Sequence, residues 1–312
     1  MAISRRDFLG TAALGTVAVP LISAAGMPMR TLGRTGTQVS ILAFGGGSRF
    51  VGYEEQKGLE ILNHALDLGI NYIDSAASYG ANGESNIRVG KVLKARGRKG
   101  LWVANKIEPR KYDDFMRTLD LSLKRLQVDY VDLLHIHALL GPDDLAAIEA
   151  KDGAYNALVK AREQKMCRFI GITCHADPEV LKTALERHDF DCTQMALNAA
   201  MRGQVKGVAT SFETTALPVA LRKKMGVTAM KIFAQDALIG QAPPEKLIQY
   251  TMSLPVAAAV IGMPKPEHVE RNIEVAKAFR PMPPDEMKRF SADLSAKNKM
   301  ALDTFFRHHT DA

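Results

Sequence analysis

The chain is poor in cysteine: Cys167, Cys174 and Cys192 are its whole complement in 312 residues. An odd count with no Cys-x-x-Cys spacing argues against a disulfide-stapled scaffold, an iron–sulfur cluster or a structural zinc, so no metal is expected. All three lie in or beside β-rich runs and are expected to be buried, inert thiols. Outside the first 25 residues no apolar run reaches the roughly 18 residues that a membrane-crossing helix needs, so the body should be soluble. The formal charge is +7, yet no dense Lys/Arg block with interleaved aromatics occurs, which excludes nucleic acid as the expected partner. A Gly-x-Gly-x-x-Gly turn is also missing. The first glycine cluster is Gly45-Gly46-Gly47-Ser48, which lacks that spacing and argues against a doubly wound nucleotide-binding sheet.

What is present is a regular alternation. Hydrophobic residues make up 46% of the chain and charged residues 24%, a balance that excludes disorder and suits a large globular domain. From Ile41 onward, short β-rich runs alternate with longer stretches whose apolar residues recur at three and four, the pattern of βα units around a parallel sheet. The runs span 41–46, 71–76, 101–107, 130–137, 168–173, 192–198, 227–233 and 257–263. Eight such units predict a (β/α)8 TIM barrel. Residues 29–40, with Gly33 and Gly36, predict an amino-terminal hairpin that plugs the barrel, and PMPPDEMKRFSADL predicts an extra carboxyl-terminal helix outside it or over its mouth. The longest connections, 138–153 and 199–213, fall on one face and are expected to shape a pocket.

The first residues read Ser4-Arg5-Arg6-Asp7-Phe8-Leu9, then a modestly apolar stretch to Ser23-Ala24-Ala25. This resembles a twin-arginine export signal. The implied layout is a signal peptide over 1–25 and one barrel domain over 26–312. The twin-arginine export machinery is then a partner, the location is periplasmic or otherwise extracytoplasmic, and no membrane contact follows cleavage.

Three successive strand-like runs end in polar residues. Asp74 and Tyr79 follow the second, Lys106 ends the third and His137 ends the fourth. Such groups at buried strand ends are costly unless paired, and in a parallel barrel one pocket at the carboxyl-terminal rim gathers them. Reducing a carbonyl with hydride needs a proton donor at the developing alkoxide. A phenol becomes a better donor when a cation stabilises its phenolate. Tyr79 is therefore the expected acid or base, Lys106 its tuning cation, Asp74 the anchor of Lys106, and His137 the group that orients the carbonyl. His135, two residues before His137, is expected deeper on the same side as a hydrogen-bonded core residue. Two other readings remain: a non-catalytic nucleotide-binding barrel, and a lyase using Lys106 to form a Schiff base.

The order IDSAASYG, VANK and LLHIH resembles the aldo-keto reductase family, and the likeness runs from LGRTGTQVSILAFGGG to VIGMPKPEHVERN. It implies an NAD(P)(H)-dependent oxidoreductase that interconverts an aldehyde, ketone or sugar with its alcohol. By the same resemblance, Thr173 and Cys174 take the places of a Ser-Asn pair on the nicotinamide carboxamide, and Gln194 matches the glutamine there, followed by Asn198. Met230 packs against the ring with Lys231 near phosphate. Gly262, Met263, His268 and Asn272 flank the adenosine end, with Gly46 and Asp74 as further contacts. Gly262, Met263 and His268 stand where the family carries Lys, Ser and Arg, so NADP is implied by family habit, with NAD the alternative. Ser85-Asn86 replaces a common Ser-Glu and is expected to be a helix-cap variation without catalytic consequence.

Overall fold

Short strands come first. Leu21–Ile22 (β1), Pro28–Thr31 (β2) and Gln38–Ser40 (β3) pair antiparallel in that order. Eight more follow: Leu42–Gly45 (β4), Tyr72–Asp74 (β5), Trp102–Ile107 (β6), Val131–Leu139 (β7), Cys167–Cys174 (β8), Cys192–Ala196 (β9), Gly226–Met230 (β10) and Ala258–Ile261 (β11). Each lies parallel to the next, and β11 pairs with β4, which closes the barrel. The structure, a computed structural model, describes residues 21–201, 211–263 and 265–307. The twin-arginine motif, Pro264 and most of the expected 199–213 loop lie outside the described residues.

The connections carry helices Ser48–Val51 (α1), Glu55–Asp67 (α2), Glu84–Arg96 (α3), Tyr112–Leu126 (α4), Pro142–Glu149 (α5), Ala154–Glu163 (α6), Pro178–Arg187 (α7), Leu217–Arg222 (α8), Pro244–Ser253 (α9), Pro266–Lys277 (α10) and Pro284–Arg307 (α11). Their sequences explain them. In α4 the buried Phe115, Leu119, Leu123 and Leu126 form one stripe, with Asp113 and Asp114 in the first turn and Lys124 and Arg125 in the last, matching the helix dipole. Helix α7 starts where the Asp177 carboxylate accepts the Glu179 and Val180 N–H groups at 2.8 and 3.2 Å, with Pro178 in its first turn.

Alternation along each strand separates two apolar regions. Outward residues such as Ile73, Val103 and Ile136 join the helices in the larger core. Inward residues including Tyr72, Trp102 and Leu133 fill the barrel, and Leu32 and Val39 of the amino-terminal hairpin join them. Burying Leu32 contributes about 1.5–3 kcal/mol. Its neighbour Gly33 has φ +49, and a Cβ there would lie 2.2 Å from Gly226 N, so only glycine lets the hairpin approach so closely.

Several boundaries differ from expectation. β5 stops at Asp74 rather than 76, and β10 stops at Met230 rather than 233. Beyond Met230, Lys231, Ala234, Gln235 and Asp236 all take positive φ, a left-handed run that cannot continue a strand. β7 instead runs two residues past His137, because the register to β8 shifts between Ile136 and Leu139, with Ala138 at φ +53. The 138–153 connection, expected to shape a pocket, carries α5. Helix α11 packs outside the barrel against α9: the Phe290 and Tyr250 ring centroids are 6.2 Å apart.

Candidate active site

The inward parity of three neighbouring strands sets the centre of the site. Asp74, Lys106 and His137 are each buried at the carboxyl ends of β5, β6 and β7. Lys106, only 1% exposed, donates from Nζ to Asp74 Oδ2 at 2.6 Å, to Ser75 O at 2.9 Å and to Tyr79 Oη at 3.3 Å. A buried ammonium needs such a set of partners, because the desolvation cost is several kcal/mol per ion. Tyr79 stands on the turn after β5, where its N–H donates to Ala76 O at 3.3 Å and its carbonyl accepts Ser85 N–H at 3.1 Å. Its ring lies under Lys106 Nζ at 4.7 Å and edge-on to His137 at 5.6 Å. The irregularity at Ala138 bends the chain beside His137, a device that re-aims a side chain.

A buried polar network stands behind Lys106. Ser75 Oγ is 2.7 Å from Ser85 Oγ, and Asn86 Nδ2 donates to Ser75 Oγ at 2.8 Å and to Asn105 Oδ1 at 3.0 Å. Asn86, expected as a cap variation, therefore ties α3 to the strand that carries Lys106. His135 is fully buried, as expected, but neither ring nitrogen has a hydrogen-bond partner among the described residues, contrary to the expected bonded histidine. The ring lies against the β8 backbone: a Cβ on Gly171 would be 2.5 Å from its Nδ1. Burial pushes its pKa well down, so it is neutral.

One groove opens over Asp74, Tyr79 and His137 and runs past Gln194, Met230 and Lys231 to Gly262, His268 and Asn272. Gln194 Nε2 donates to Asp74 Oδ1 at 3.3 Å, while its buried Oε1 has no partner among the described residues. Lys231 Nζ donates to Gln235 Oε1 at 2.6 Å. Other expected contacts lie beside the groove or within the core. The Thr173 hydroxyl accepts the Ala138 N–H at 2.8 Å, and the Cys174 thiol donates to Leu139 O at 3.1 Å within the outer core. Burial pushes that thiol up to about 12. Gly46 donates its N–H to Asp74 O at 2.8 Å beside the groove, and a side chain there would meet that oxygen. Met263 is buried and offers its carbonyl to Tyr53 Oη at 2.7 Å. Asn198 is buried just past β9.

Residues 42–243 match the model of the Aldo/keto reductase family. The chain belongs to that family. As an aldo/keto reductase it is an NAD(P)-dependent oxidoreductase of the kind that interconverts carbonyls and alcohols. It is 33% identical over 229 residues to L-galactose dehydrogenase of Arabidopsis thaliana, covering 70% of this chain and 69% of that one. To D-threo-aldose 1-dehydrogenase of a Pseudomonas species it is 25% identical, with 73% and 72% covered. The aldo-keto reductase AKR11C1 of Bacillus halodurans, in its holo form, shares the fold with a TM-score of 0.71, 24% identity, and 86% of this chain and 96% of that chain covered.

In this aldo/keto reductase the groove also holds residues that the sequence reading missed. Arg49, after β4, and Asp236, after β10, both line it and form an ion pair. Arg271 joins His268 and Asn272 on α10 and pairs with Glu245. Burial, with Lys265 nearby, lowers the His268 pKa. Glu108, two residues beyond Lys106, places Oε1 3.1 Å from His137 Nδ1. The period of two along β6 was the available signal for Glu108. Arg49 and Asp236 are 187 positions apart and leave no local signal.

Proposed function

We propose that Tyr79 gives a proton to the substrate oxygen in reduction and takes it back in oxidation, that Lys106 and Asp74 tune that phenol, and that His137 orients the carbonyl. The observation that carries this reading is the single ammonium of Lys106 bonded to Asp74 at 2.6 Å and lying 3.3 Å from Tyr79 Oη. A cation beside a phenol stabilises the phenolate that remains after proton transfer, and Asp74 keeps Lys106 protonated. Against Schiff-base chemistry stands the same contact, since an amine clamped as ammonium is no nucleophile. A barrel that only bound nucleotide would have no use for a tuned phenol.

The groove fits a nicotinamide dinucleotide, which supplies or accepts the hydride. The orphan Gln194 Oε1 would accept the carboxamide N–H, with Met230 against the ring and Lys231 beside the phosphates. The amino terminus of α10 turns His268, Arg271 and Asn272 toward the adenosine end, where helix N–H groups favour an anion. NADP is the reading to test first, with NAD the alternative. Aldoses are the first substrates to test, because two relatives are named as dehydrogenases of L-galactose and D-threo-aldose.

Titrating the protein with NADPH and NADH should change nucleotide fluorescence, and the bound form should turn over members of an aldose and aldehyde panel. Asp236→Ala should speed nucleotide release in stopped flow by up to about fivefold with little loss of stability, because the ion pair with Arg49 stands in the groove and half-exposed pairs contribute only about 0–1 kcal/mol. Binding without turnover on any panel member would favour the non-catalytic barrel.

The reading extends to location: a single barrel domain exported already folded through the twin-arginine machinery to the periplasm, where free nicotinamide nucleotide is not expected. Leu21 and Ile22 are 59% and 65% exposed on the sheet edge, so cleavage after Ala25 would remove them and spare the β2–β3 pairing. Export of this kind calls for a cofactor that travels bound. Mass spectrometry of protein isolated from the periplasm should find co-purified nucleotide at near one per chain, and an empty, freely exchanging site would overturn that expectation.

A further inference from the structure

We infer that Glu108 selects the Nδ1–H tautomer of His137, so that the imidazole donates to a carbonyl only when doubly protonated and accepts from an alcohol when neutral. Glu108 is thus a positioning residue, and the inference rests on the reading of His137 as the group that orients the substrate oxygen. The carboxylate is an acceptor only. With Oε1 3.1 Å from His137 Nδ1, that contact is attractive only when Nδ1 carries the proton. The ring then has Nε2 as its other polar atom. In neutral histidine a proton on Nδ1 leaves Nε2 bare, an acceptor suited to an alcohol O–H. Donation to a carbonyl requires the imidazolium, which the neighbouring carboxylate stabilises.

The surroundings hold this arrangement. Ser78 Oγ lies 3.5 Å from the same Nδ1, and Ser78 also lowers the Glu108 pKa. The Glu108 carbonyl accepts from Arg110 at 2.6 Å, and Arg110 grips Asp144 through contacts of 2.7 and 2.9 Å. Glu108 is half-exposed, yet its pKa is held below the usual range, first by the hydrogen bond to His137 and then by Ser78 and the charges of His137 and Arg110. It therefore remains a carboxylate across the range in which histidine titrates. The other titratable groups facing His137 are Tyr79, edge-on at 5.6 Å, with the Lys106–Asp74 pair beside it, and His135 one strand step below, kept neutral by burial. The doubly protonated donor form is present below the His137 midpoint and is lost as pH rises through it.

The test is nitrogen NMR of histidine-labelled protein, with the His137 signal assigned from His137→Gln, together with pH profiles in both directions for wild type, Glu108→Gln and Tyr79→Phe. Neutral wild-type His137 should carry its proton on Nδ1, and Glu108→Gln should release the Nε2–H tautomer and lower the titration midpoint by about one unit. Reductive kcat/KM in wild type should fall above the midpoint while alcohol oxidation rises. In Glu108→Gln the reductive limb should flatten, because the neutral Nε2–H ring donates to the carbonyl, and one pH unit above the wild-type midpoint reductive kcat/KM should exceed that of the wild type by about tenfold. A neutral wild-type ring protonated on Nε2, or an unchanged tautomer and pH profile in Glu108→Gln, overturns the inference. Tyr79→Phe keeps the two readings apart: if it abolishes turnover while Glu108→Gln changes nothing, only the role of Glu108 fails. If it stays active, the parent reading fails, and the tautomer measurement still decides this one.

Discussion

Tyr79→Phe should fold, bind nicotinamide nucleotide as the wild type does, and lose turnover by a factor of about 10²–10⁴, the range that a positioned proton donor contributes. Phenylalanine keeps the ring that packs edge-on to His137 at 5.6 Å and beneath Lys106 Nζ at 4.7 Å, so the substitution removes one oxygen and little packing. Lys106 keeps its bonds to Asp74 Oδ2 and Ser75 O, so no buried ammonium is stranded. The loss should therefore appear in kcat, with nucleotide affinity and unfolding midpoint nearly unmoved. Steady-state kinetics beside a nucleotide titration separate the two, and wild-type turnover in Tyr79→Phe would sink the assignment of the phenol as acid and base.

Lys106→Met should damage both stability and activity. The aliphatic chain is replaced at similar volume, but Asp74, with a side chain 4% exposed, loses the ammonium at 2.6 Å. Removing one member of a buried pair costs about 3–5 kcal/mol, because the remaining charge stays desolvated without its partner. Urea unfolding should show that loss, and turnover should fall to the level of Tyr79→Phe, since the phenolate loses its cation. The double variant Lys106→Met/Asp74→Leu removes both charges, so most of the stability should return. Activity should not. Recovery of turnover in the double variant would mean that the pair is structural and that Tyr79 works without it.

Much of this site was legible before the fold because each component carries a short-range signature. Asp74, Lys106 and His137 end three consecutive β-rich runs, and the period of two in parallel strands puts residues of one parity inside the barrel. Met230, Lys231, Gly262 and His268 came to one groove from strand ends or the start of the following helix, and Gln194 within β9 and Asn272 within α10 joined them. Thr173 and Cys174 do not line the groove, and only part of the reason was legible in sequence. The register shift between β7 and β8 brings the Ala138 N–H onto the Thr173 hydroxyl, and the alternation of β8 then turns the next residue, Cys174, outward.

The amino-acid sequence by itself determined the eight-unit barrel, the hairpin beneath it and the gathering of an acid, a phenol, an amine and an imidazole at one rim. Those are consequences of hydrophobic period and strand alternation, which act over a few residues. Tertiary structure alone decided that Lys106 reaches Asp74 and Tyr79 at once, that Arg49 meets Asp236 in the groove, and that Glu108 takes His137 Nδ1. Hydrogen bonds and ion pairs need atoms within about 3–4 Å. Residues distant in sequence reach that separation only when the barrel closes and fixes the register of neighbouring strands.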